Sequence, residues 1–246
     1  MAETAAPETE AAVKEALRLH HADSVVVGEA ESVWADVIRD YEAGALQKRY
    51  QGLPLDDYFS PCYEYFLSLD PMVLYRTGLL LSRGCKYRCE FCVPAFGKPR
   101  QIKIEMAIGL LTKINTAFPR PWGLAPHILF RDDNIFSSPP YAKRLFQEMI
   151  PLNMHWSGNS SLDIAFDDEA LRLAKASGCR WLFIGFETLY PEKLPKTSVG
   201  DIKSEEDYTA AIRKIRSHGI KVIGAFVLGF DCCTHAYYWR LMKFLW

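Results

Sequence analysis

From residue 79 onward the chain alternates short apolar runs with amphipathic stretches, and this alternation constrains the fold more than any other feature. Leu79-Leu80-Leu81-Ser82, His127-Ile128-Leu129-Phe130, Met154-His155-Trp156-Ser157, Trp181 to Gly185 and Lys221 to Leu228 each read as a buried strand. Between and after them, residues near 103–117, 139–150, 167–177, 204–218 and 235–245 read as helices. Strands that recur with a helix between them cannot pair as hairpins, so the expected fold class is α/β. The sheet should be parallel with its helices outside, as a partial (β/α) barrel of about five units or an open sheet.

The residues before this core are too few for a second complete domain of ordinary size. Residues 1–11 are polar and acidic and are expected to be disordered. Residues 12–44 read as helix, strand and helix: a helix over 12–20, a brief buried strand at Ser24 to Gly28, and a helix from Glu31 to Ala43. Residues 45–77, with Pro54, Pro61 and Pro71, read as a connector, and 78–246 as the core domain.

Composition sets the class. Apolar residues make up 49% and charged residues 24%, with a net charge of -1, so no bulk charge favours nucleic acid or a polybasic membrane anchor. No run of 18 uncharged apolar residues argues for a transmembrane helix, and the acidic start lacks the basic, then apolar, pattern of a secretory signal. A cytoplasmic location is the expectation.

Seven cysteines, an odd number with three packed into eight residues, do not read as a disulfide framework. Cys85, Cys89 and Cys92 are spaced C-x3-C-x2-C directly after the first strand. Three thiolates on one loop can ligate three irons of a cubane cluster and leave the fourth open to another ligand. A zinc knuckle completed by Cys62 or a histidine is the alternative, although zinc sites usually pair two C-x2-C units. Three unrelated buried thiols are the remaining one.

The segment Cys85-Lys86-Tyr87-Arg88-Cys89-Glu90-Phe91-Cys92 resembles the C-x3-C-x-aromatic-C signature of radical S-adenosylmethionine (SAM) enzymes, with Phe91 as the aromatic. The segments Phe130 to Phe136, Trp156 to Asp163, Phe183 to Thr188 and Gly224 to Asp231 resemble that superfamily's cobalamin-binding branch, which includes hopanoid methylases and the anaerobic chlorophyll cyclase. Ala22 to Glu31 resembles the last strand of the branch's N-terminal cobalamin domain, so residues 12–44 are expected to be a remnant of that Rossmann-like domain.

The resemblance implies a 4Fe-4S cluster on Cys85, Cys89 and Cys92. It implies that the open iron binds SAM, and that one electron cleaves SAM to methionine and a 5′-deoxyadenosyl radical for methylation or another C–H functionalisation. An electron donor such as flavodoxin or ferredoxin and a small-molecule or lipid-like substrate would be the partners. Parallel barrels carry their sites at the carboxyl ends of strands. By resemblance, Phe91, Asp132, Asp133, Ser157 and Glu187 are therefore candidate cofactor-binding residues, with Glu187 for the ribose hydroxyls and Asp132 or Asp133 for the ammonium or substrate.

Ordinary structural roles compete with these. Asp133-Asn134 can make a turn, Asp167-Asp168 can cap and start a helix, and Asp163 can orient the loop after the third strand. Cys179 reads as a buried apolar residue, and Trp34, Trp181 and Trp239 as core. About 80 residues precede Cys85 and carry no D-x-H-x2-G motif, so cobalamin is expected in a full-length relative rather than in this chain. The chain reads as the middle of a longer enzyme, and an inactive or regulatory fragment that holds cluster or SAM without turnover stays open beside the enzyme.

Overall fold

The computed structural model describes residues 7–54, 68, 78–87, 89, 92, 99–118, 123–190, 202, 204–230 and 233–246. The chain divides into two compact units, Met1–Phe59 and Ser60–Trp246.

In the first unit, helix α1 (Pro7–Arg18) is followed by strand β1 (Val25–Val27), a 3-10 turn at Ala30–Ser32, helix α2 (Trp34–Glu42) and strand β2 (Arg49–Gln51). Strands β1 and β2 pair in parallel, with Val26 opposite Tyr50. The Tyr50 hydroxyl donates to Asp40 at 2.8 Å and accepts from the Gln47 amide at 3.1 Å, which ties β2 to α2. A Cβ on Gly28 would lie 2.3 Å from the Gly52 carbonyl oxygen, so the two strand ends meet only because neither residue carries a side chain. Two sequence expectations change here. Helix α1 begins at Pro7, so residues 7–11 are helical rather than disordered; proline suits the first turn and Ala and Glu favour helix. The stretch read as connector also contributes β2. Its residues 55–67 and 69–77 lie outside the described residues.

The second unit is an α/β layer. Strands β5 (His127–Phe130), β6 (His155–Ser160), β7 (Cys179–Glu187) and β8 (Lys221–Phe226) form one parallel sheet in that spatial order. Helices α4 (Pro139–Met149), α5 (Asp168–Ala176) and α6 (Glu205–Ser217) make the crossovers that parallel strands need, and α7 (His235–Leu245) follows β8. Leu79 adds one parallel bridge, to Phe130, so the first segment lies beside β5. It does not continue as a straight strand. Ser82–Arg83 (β3) turns away and pairs antiparallel with Arg100–Gln101 (β4), just before helix α3 (Ile104–Ala117).

The core lies between the sheet and the helices. Trp156 is fully buried, stacks on Phe146 with ring centroids 4.9 Å apart, tilts against Phe130 at 5.5 Å, and donates its indole N–H to Ser177 at 2.9 Å. Leu182, Ile184 and Phe186 are buried on one face of β7, while Phe183 between them is exposed; the period of two survives within an apolar run. Trp34 and Trp239, expected in the core, are 54% and 66% exposed. The inward residues of α7 are Tyr237 and Leu241, which leaves Trp239 on another face of that helix. Cys179 is buried as expected, and burial pushes its thiol pKa up. Asp167 caps α5 by accepting from the Ala170 amide at 2.9 Å. Among the described residues, no helix is long and apolar enough to cross a membrane.

Candidate functional site

The cysteine loop, residues 84–99, is closed at its base by the β3–β4 pair and by the Ile102 amide donating to the Leu81 carbonyl at 3.0 Å. Its incoming limb is gripped by the segment that follows β5. Asp132 accepts from the Leu81 amide at 3.2 Å and from the Ser82 hydroxyl. Asp133 accepts from the Gly84 amide at 3.3 Å, and Ser137 accepts from the Lys86 amide at 2.9 Å. Strand pairing stops at Leu79, so these backbone N–H groups have left the ladder and need other acceptors. Three short polar side chains supply them because the segment after β5 runs alongside.

Asp132 is 1% exposed, and burial raises its carboxyl pKa to about 6 although its hydrogen bonds pull the other way. It is enclosed between the first segment and β5 and is fully engaged in holding the loop.

Cys85 and Cys92 are half-buried and Cys89 is buried, all as thiols without disulfides. The Cys92 amide donates to the Cys89 carbonyl at 3.0 Å. Among the described residues, no three Cys, His, Asp or Glu side chains converge closely enough to hold a metal ion, so the three thiols share one loop without being gathered to a point. By donor chemistry they fit an iron–sulfur cluster: soft sulfur ligands at cluster spacing on a clamped loop. Phe91 lies outside the described residues, as do Cys62 and Cys232.

A second set of contacts pins the loop to the end of β6. Lys86 pairs with Asp163, the Tyr87 hydroxyl donates to Asp163 at 3.0 Å, and the Ser161 hydroxyl donates to the same carboxylate. The Lys86 ammonium also lies 5.1 Å from the Tyr87 ring centroid and 5.6 Å from that of Phe136. Burial and the Asp163 charge push the Tyr87 phenol pKa up, so it stays a donor. Asn134 joins the two sets. Its carboxamide nitrogen donates to Ser161 Oγ at 2.9 Å and to Cys85 Sγ at 3.8 Å. Asp163 bonds Ser161 within its own loop after β6 and also holds the cysteine loop, a role for which Lys86, Tyr87 and Ser161 carry no sequence signal.

At the end of β7, Glu187 adopts φ 61°, a left-handed backbone that side chains rarely take, and it sits at a register shift against β8. Its carbonyl accepts from the Val227 amide at 2.9 Å. A Cβ on Gly185 would lie 2.0 Å from Glu187 Oε1, so the glycine leaves the space the carboxylate fills. Burial raises the Glu187 pKa.

Ser157 is placed differently from the expectation. Strand β6 continues to Ser160, so Ser157 is interior to it, fully buried, with its hydroxyl 2.8 Å from His127 Nε2 at the start of β5. The sequence ends this strand at Ser157, but Gly158, Asn159 and Ser160 continue it, with their polar side chains bonded to the fold. Asn159, for example, donates to the Asp132 carbonyl at 3.0 Å. Asp133, Asn159, Ser161 and Glu187 occupy the carboxyl ends of the strands, the same edge that carries the cysteine loop.

The family model of the radical SAM superfamily matches residues 79–245. The bacteriochlorophyllide d C-12(1)-methyltransferase of Chlorobaculum tepidum is 29% identical over 219 residues, 86% of this chain and 47% of that protein. The hopanoid C-2 methylase of Rhodopseudomonas palustris is 27% identical over 172 residues, 67% of this chain and 32% of that one. The chain thus spans half or less of the length of these curated relatives. Among solved structures, the cobalamin-dependent SAM radical enzyme OxsB, with aqua-cobalamin and SAM bound, superposes with a TM-score of 0.66 at 17% identity over 88% of this chain and 35% of its own. At that identity the likeness is one of fold.

Proposed function

The chain belongs to the radical SAM superfamily, and on that premise we propose that it holds a 4Fe-4S cluster on Cys85, Cys89 and Cys92 and cleaves SAM reductively to functionalise an unactivated carbon, by methylation or a related reaction. The observation that carries this reading is the C-x3-C-x2-C thiol set on a loop clamped beside the carboxyl ends of a parallel sheet. When bound, the cluster would supply the single electron and the open iron that SAM cleavage requires.

The chain's own residues would do the rest. Asp132, Asp133 and Ser137 hold the loop's backbone, so the cysteines are presented from a fixed base. Glu187 is proposed for the SAM ribose hydroxyls, since its carboxylate is aimed by a strained backbone over Gly185 at the strand ends. Asp133, rather than the enclosed Asp132, is the better candidate for the SAM ammonium. Ser157 and Asp132 are proposed as positioning residues. Phe183 and Ile223, adjacent in register and both exposed, put an apolar patch on that face of the sheet that suits a small-molecule or lipid-like substrate. An external one-electron donor such as flavodoxin or ferredoxin would be needed.

The test is anaerobic reconstitution of the chain with iron and sulfide, followed by dithionite and SAM. The expected result is a brown protein that forms 5′-deoxyadenosine, and loss of both cluster and product in Cys89→Ala. Product formation unchanged in that variant would refute the cluster assignment. Cluster absorbance without product would instead mark a binding or regulatory role, and zinc without iron or sulfide a structural module.

A further inference from the structure

Asn134 is 3% exposed and uses every hydrogen-bonding position its carboxamide has. Its oxygen accepts from the Phe136 amide at 3.0 Å and from the Ser161 amide at 3.2 Å. Its nitrogen donates to Ser161 Oγ at 2.9 Å and to Cys85 Sγ at 3.8 Å. The two oxygen partners are backbone N–H groups, which can only donate. Turning the amide over would set donors against donors, so its orientation is determined and one N–H must face the Cys85 sulfur.

We infer that Asn134 is a positioning residue for the cluster: its amide holds the Cys85 sulfur and raises the cluster's reduction potential through an N–H···S hydrogen bond. The inference rests on the proposal that Cys85 ligates the cluster. Reduction adds negative charge that spreads onto the ligating sulfurs. An N–H dipole aimed at one of them favours the reduced form, and hydrogen bonds to sulfur and burial are among the recognised controls of cluster potential. Burial strengthens the effect, because a dipole acts further where water does not screen it. The contact is also not free to drift. Ser161 ties the amide to Asp163, and Asp163 ties it to Lys86 and Tyr87, the residues next to Cys85. A substitution at Asn134 should therefore change the electronic property of the cluster as well as the loop's order.

The experiment is a redox titration, followed by EPR, of the reconstituted full chain and Asn134→Ala. At a fixed solution potential the variant should show a reduced-to-oxidised ratio lower by on the order of tenfold, which for one electron is about 59 mV. An unchanged potential with a full cluster overturns the inference and leaves the functional reading standing. Wild-type protein lacking iron and sulfide overturns both, so the two failures are told apart by metal analysis. If Asn134→Ala does not fold, wild-type protein labelled with 15N-asparagine decides the question. Pulsed EPR of the reduced cluster should then show coupling to one side-chain nitrogen, and its absence overturns the inference.

Discussion

Replacing Asp132 by asparagine should remove a pH dependence from the stability of the second unit. The carboxyl group is 1% exposed, and burial raises its pKa from 3.8 to about 6. In the unfolded chain it titrates near its ordinary value. Between those two values the folded chain keeps the proton that the unfolded chain has already lost. Folding therefore binds protons in this window, and stability falls as the pH rises through it, levelling off above about 6. The step from 3.8 to about 6 corresponds to about 3 kcal/mol. An asparagine has no proton to lose and fits the same partners: its oxygen can accept from the Leu81 amide, and its nitrogen can donate to Ser82 Oγ. Urea unfolding of wild type and Asp132→Asn, followed by tryptophan fluorescence from pH 4 to pH 7, measures the difference. The variant should gain on the wild type by most of that ~3 kcal/mol as the pH rises. Two parallel stability curves would refute the reasoning, because they would mean that the carboxyl group does not pay for its enclosure.

Two glycines give further tests. Gly178 has φ 100°, and an added Cβ would lie 1.9 Å from the Met154 carbonyl oxygen, so Gly178→Ala should cost more than the ~1–2 kcal/mol of a left-handed backbone alone; a urea midpoint equal to wild type would contradict this. Gly185→Ala should leave the fold intact but push the Glu187 carboxylate off its position, weakening SAM binding by about tenfold, or ~1.4 kcal/mol. Equilibrium dialysis with SAM checks it, and unaltered affinity would remove Glu187 from the SAM site.

The sheet from β5 to β8 was legible because each strand is an apolar run flanked by an amphipathic stretch. The expected bounds at His127–Phe130 and 235–245 recur in the structure. What composition misjudged were polar groups satisfied by tertiary partners. Gly158 to Ser160 lie beyond the expected strand end, yet β6 runs on through them, with Asn159 bound to the Asp132 carbonyl. Residues 7–11 look unstructured by charge, yet proline and alanine start a helix there. The irregular first segment could not be read either. Leu79 to Ser82 is apolar enough for a strand, but the turn of β3 toward β4 leaves only one bridge to β5. Within the site, the spacing of the cysteines names the donors. The role of Asn134 has no sequence signal at all, since an asparagine in a polar loop reads equally well as a turn.

These contacts divide the labour at the site in a way that spacing alone does not suggest. Four positions of one short segment, Asp132, Asp133, Asn134 and Ser137, each hold a different point of the incoming limb between Leu81 and Lys86. That segment emerges from β5, and β5 is held by β6 beside it through a regular parallel ladder. The cysteine loop therefore takes its position from the sheet rather than from its own sequence. Shifting β5 against β6 would displace the loop's anchor points together, whereas removing one side chain loosens one of them. The Asn134 amide differs from its neighbours in this respect, because it alone reaches a cysteine sulfur among the contacts of that segment described above. Loss of Asp133 or Ser137 should cost order in the backbone, and loss of Asn134 should in addition change the electron affinity of whatever Cys85 ligates.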